Sequence, residues 1–151
     1  MSIAIALHVM SAVIWVGGMF FAYVCLRPVA AIHLEPEQRL PLWSMVFQRF
    51  FPWVWMSIVL LLITGASMII DLGGMAMAGH HVHLMLVLGI VMMLLFAHVF
   101  FNPYQKLRWA VRERDWITGA DALNKIRFVF RINLALGLFV VLIGAGGRYL
   151  I

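Results

Sequence analysis

Charge is what this sequence has least of. Only 11% of its 151 residues are Asp, Glu, Lys or Arg, against 65% hydrophobic, whereas a soluble domain carries about 25% charged residues. An ordinary water-soluble fold is therefore excluded. The lone cysteine, Cys25, excludes a disulfide within the chain and says nothing about redox compartment. Paired carboxylates inside the apolar stretches, a P-loop, an HExxH helix and a Ser/His/Asp set are all missing, which argues against a proton pump, an ATPase and a hydrolase. The net charge of +5 comes from basic residues in the gaps between apolar stretches, so it points to lipid headgroups and not to nucleic acid.

What the sequence has is four long uncharged runs: Ile3–Leu26, Phe50–Ile70, Leu84–Phe101 and Ile132–Gly147. At ~1.5 Å per residue each spans ~30 Å of hydrocarbon, the shorter ones with a flanking turn. Backbone polar groups in lipid must be satisfied internally, and the ten-residue alternation of barrel strands is missing. The fold class expected is all-α: an integral membrane four-helix bundle, a single transmembrane domain over residues 1–151 with helices at about 3–26, 50–71, 81–102 and 119–148. The first run is read as a helix and not as a cleaved signal peptide, because no basic segment precedes it and bulky residues spoil a cleavage site.

Ten of the eleven basic residues fall between runs one and two or between runs three and four, and Arg148 alone lies on the other side. The positive-inside rule then puts both termini and the Asp71–Val82 loop outside and the two long connections in the cytoplasm. Leu40, Leu42, Trp43, Val46 and Phe47 after Glu35-Pro36 suit a short interfacial helix, and Thr118-Gly-Ala-Asp121 suits a capping box for a last helix that projects into the cytoplasm. Trp43, Trp53 and Trp55 read as an aromatic belt, and Gly17-Gly18, Gly65-Ala66, Gly137 and Gly144-Ala-Gly-Gly147 as close-approach faces that also suit a homodimer.

Histidine carries the chemical signal. His8 lies five residues inside the first run, roughly 7 Å below its outer end, where a polar ring needs a partner such as Ser11 or a carbonyl, or has a function. His98 is a second candidate near the inner end of the third run. The outer loop reads Met75-Ala-Met77-Ala-Gly-His80-His81-Val-His83, a density of thioethers and imidazoles that suits copper. The same residues suit haem b, with His8 and His83 as axial ligands, His81 as the fallback, Arg148 on a propionate and Trp15 packed beneath the ring.

These residues also carry a resemblance. His8 with Trp15-Val-Gly17-Gly18-Met-Phe20, then Phe50-Phe-Pro52-Trp53-Val-Trp55, His83, and Arg127 and Asn133 before Leu136-Gly137-Leu138 resemble the CopD-like family of four-helix bacterial inner-membrane proteins, and more distantly the HemJ type of protoporphyrinogen oxidase. The first resemblance implies copper uptake or resistance. The second implies haem b held by a first-helix His, matched by His8, although the second ligand of that type is a Lys and His83 stands near its place here. The leading expectation is a haem b electron-transfer or oxidoreductase protein with a quinone or porphyrin-like partner; the alternative is a copper-binding protein in which Met75, Met77, His80, His81 and His83 collect the ion and His8 or Met10 passes it inward. Whether the protein is an enzyme stays open.

Overall fold

The computed structural model describes residues 1–150, without the side chains of Arg148 and Leu150. Helix α1 (Ser2–Phe20) continues through a π-helical turn (Phe21–Leu26) into α2 (Arg27–His33), so the first helix outruns its apolar stretch by two turns. The wider turn is where Pro28 is accommodated. The Arg27 N–H reaches back to Ala22, and Pro28, with no N–H to offer, takes the start of α2, where none is required.

Leu34 and Glu35 are extended and break the chain before α3 (Pro36–Asp71). A separate interfacial helix was expected here; the structure instead shows one helix of 36 residues, ~54 Å long and longer than the hydrocarbon layer. The cause is a continuous buried stripe, Leu40, Trp43, Phe47, Phe51, Val54 and Ile58. Its spacing of three and four keeps one face against the bundle, and a break near residue 49 would split it. Pro41 and Pro52 lie within this helix, as membrane helices tolerate.

Gly73 and Gly74, with φ of 92° and 100°, turn the chain in a conformation that a side chain would strain. A single 3₁₀ turn, Met75–Met77, leads to α4 (His80–Phe101), which ends at Asn102-Pro103 where α5 (Pro103–Glu113) begins. Arg114, left-handed at φ 55°, terminates α5. The last helix, α6 (Trp116–Leu150), starts two residues before the expected capping box. Asp115 is the cap: its carboxylate accepts the Thr118 N–H at 3.1 Å and the Thr118 hydroxyl at 2.7 Å.

Four helical spans are long and apolar enough to cross a membrane, Ser2–His33, Pro36–Asp71, His80–Glu113 and Trp116–Gly147, and no strand occurs among the described residues. The protein is an all-α, multi-pass inner-membrane four-helix bundle. Helix α1 packs on α3, α4 on α6, and α6 touches each of the other three. Small residues permit the approach: a Cβ on Gly137 would lie 2.9 Å from Val16 of α1 and 3.1 Å from Met92 of α4.

The core sits toward the inner end. Phe47 stacks on Phe51 at 4.9 Å, Phe51 meets Tyr104 of α5 at 4.8 Å and Phe96 of α4 at 5.2 Å, and Trp55 meets Phe96 at 5.1 Å. The expected aromatic belt is thereby corrected. Trp43 is a buried core residue and Trp55 is half-buried against phenylalanines, leaving Trp53 as the exposed one of the three. By contrast, α4 has no buried residue before Met92.

Candidate functional site

His8 is turned toward α3. Its Nδ1 lies 2.8 Å from the hydroxyl of buried Thr64, and its ring covers Gly65, where a Cβ would come within 3.5 Å of Cε1. The partner expected for His8, Ser11, instead donates to the Leu7 carbonyl at 2.8 Å. The Thr64 contact fixes the tautomer. A threonine hydroxyl has one proton, and Thr64 donates it to the Leu60 carbonyl at 2.6 Å, which can only accept. His8 Nδ1 must therefore be the donor to Thr64, and Nε2 keeps a free lone pair. An imidazole whose other nitrogen is held by hydrogen bonding is the form in which histidine ligates metals.

The outer loop presents a second imidazole in the same state. His83 Nδ1 donates to the Gly79 carbonyl one turn earlier at 3.1 Å, leaving its Nε2 free, and the side chain is exposed. His80, three residues away on the first turn of α4, is exposed, as is Met77 in the preceding 3₁₀ turn, while Met75 is half-buried. His81 differs from its neighbours: its Cβ would sit 3.0 Å from a Cβ on Gly147, and its ring folds over Gly79. It is a packing residue between α4 and α6.

Histidines 8 and 83 thus engage different partners, α3 for one and the start of its own helix for the other. Trp15 is 2% exposed and packs edge-on against Phe96 at 6.2 Å, inside the core. The side chain of Arg148 lies outside the described residues, and Asp71, at the outer end of α3, is 3.9 Å from the Met1 amino group. His98 is exposed and not buried as expected. Among the described residues, no three His, Cys, Asp or Glu side chains come together as metal ligands.

Two features escaped the sequence reading. Thr64, the partner of His8, is 56 positions away, and its only signal is a hydroxyl beside a glycine in an apolar run. At the inner end, Arg27, Arg39 and Arg127 come from three different helices into one neighbourhood; the sequence reading used them for orientation, and Arg127 for the family resemblance, without bringing them together. Between the two ends, Asn133 of α6 donates to the Met92 carbonyl of α4 at 3.3 Å, and its buried Oδ1 has no partner.

Residues 44–146, about two thirds of the chain, match the family described as copper resistance protein D, CopD. No curated protein and no solved structure matches.

Proposed function

The chain belongs to the copper resistance protein D family, and on that premise we propose that it takes up copper at the outer end of its bundle, with the Met75–His83 segment collecting the ion and His8 receiving it. Copper here is the cargo. The observation that carries the reading is the free Nε2 of exposed His83 beside exposed His80 and Met77. Imidazole and thioether together favour Cu(I), since few other ions accept the sulfur of methionine. His8, with its Nδ1–H committed to Thr64, offers the next free nitrogen along α1. Its position below the rim supports the role of first intramembrane acceptor.

The test is Cu(I) affinity of the purified protein, measured by competition with a chromogenic chelator, alongside copper accumulation by cells. Replacing Met75 and Met77 together by Leu, or His83 by Ala, is expected to weaken Cu(I) binding by about tenfold or more. His8→Ala is expected to keep that outer binding and lose accumulation. Unchanged affinity in the methionine and His83 variants would overturn the reading.

A second reading, haem b on His8 and His83, draws on the same free Nε2 of His8. Its readout is distinct: an absorption spectrum of the protein, expressed with ample haem, would show a Soret band lost in His8→Ala and kept in the methionine variants. A featureless visible spectrum rejects it.

A further inference from the structure

The inner end of the bundle holds three half-buried arginines with no acid to meet them. Arg27 begins α2, Arg39 lies in the first turns of α3, and Arg127 is on the inner half of α6. All three are near enough for Arg27 and Arg39 to repel Arg127. Among the described residues the ion pairs are Met1–Asp71 and Lys125–Asp121, so no carboxylate is within pairing distance of any of the three.

Their environment is unsatisfied in a specific way. Arg39 Nε and Arg127 Nε are buried without a hydrogen-bond partner. So is the indole N–H of Trp43, a residue only 3% exposed. Trp43, Tyr23, Arg27 and Arg127 line one narrow crevice, of about 10 Å³. Arg27 is held in place, its Nε donating to the Tyr23 carbonyl at 3.2 Å and its guanidinium lying 4.5 Å over the Tyr23 ring. Like charges that are partly desolvated and unpaired cost stability, and an anion is what would relieve them.

We propose that Arg27, Arg39 and Arg127 form a phosphate-binding rim at the inner end of the bundle, with the anion seated on the guanidinium ends. Guanidinium groups grip phosphate through paired N–H donors. The crevice is too narrow to swallow the anion, so the anion would sit outside it, on the half-exposed arginine side chains. The phosphate of an anionic lipid and free phosphate share this chemistry. The inference is independent of the copper reading, since it uses no residue of the outer rim.

The experiment is native mass spectrometry of the full chain in detergent, titrated with phosphatidylglycerol, and thermal melting in phosphatidylcholine nanodiscs with and without inorganic phosphate. The variants are Arg39→Gln and Arg127→Gln. The comparator is Arg108→Gln, an exposed arginine on the same side of the membrane, over the Tyr104 ring at 5.6 Å. The site predicts phosphatidylglycerol binding about tenfold weaker in both rim variants and unchanged in Arg108→Gln. Should Arg127→Gln fail to fold, Arg39→Gln carries the comparison alone. Lipid that stays bound against millimolar phosphate assigns the site to a headgroup. Displacement of the lipid, with a rise in melting temperature in phosphatidylcholine, assigns it to free phosphate. Equal binding by wild type and rim variants, an equal loss in Arg108→Gln, or no response to either probe would overturn the proposal.

Discussion

The Thr64 hydroxyl decides which nitrogen of His8 is available. Because its single proton goes to the Leu60 carbonyl, its oxygen is left to accept from Nδ1, and the ring is locked with Nε2 bare. Thr64→Val keeps the shape and removes the acceptor. The expected cost is about 1–3 kcal/mol for an orphaned N–H in a half-buried setting, read as a lower melting temperature in detergent. Nitrogen NMR of labelled imidazole should report the Nδ1–H form in wild type and a mixture in the variant, with Thr64→Ser restoring the wild-type pattern. An unchanged Nδ1–H form in Thr64→Val would show that the hydroxyl does not set it. His8 itself is legible in the sequence, since a polar ring inside an apolar run announces itself. Its partner is not, because pairing across helices 56 residues apart leaves no local trace.

Helix existence was readable from run length, whereas helix joins were not. An apolar run of about twenty residues is a one-dimensional property that lipid thickness converts directly into a span. Where α1 stops depends on a π turn that absorbs Pro28, and where α3 starts depends on a stripe that packs against α5 and α6. The α5–α6 junction shows the same limit: Thr118 was read as the cap, yet it is the residue that Asp115 caps. The bonds from the Thr118 hydroxyl and N–H hold the Asp115 carboxyl below the ordinary aspartate value. A carboxyl with a lowered folded-state pKa stabilises in its ionised form; that contribution is complete above the unfolded value and fades as pH falls through the folded one. Asp115→Ala should therefore melt below wild type at pH 7, and the gap should narrow in acid as wild type loses the same interaction. A gap that stays constant from pH 7 to pH 3 would mean that the carboxylate charge contributes nothing to the cap.

The bundle is polarised. Its aromatic core and ten of eleven basic residues gather toward one end, while the other end is held by glycine contacts under His8, His81 and Met85 and carries the histidine and methionine loop. The charge bias was legible and gave the orientation; the packing bias was not, because glycine faces acquire meaning only when a neighbour is seen to cover them. Function depends on which end faces out, since a copper-collecting loop must meet its supply. The positive-inside rule places that loop outside. In a Cys25→Ser background, Ala76→Cys in the 3₁₀ turn should react with a membrane-impermeant maleimide in intact spheroplasts. Asn124→Cys, exposed on the inner part of α6 and neutral so that the charge bias is preserved, should react only after permeabilisation. The reverse pattern would put Met77, His80 and His83 in the cytoplasm and the arginine rim outside. Uptake through the loop would then fail, since the ion would meet the free Nε2 of His83 only after it had already crossed the membrane.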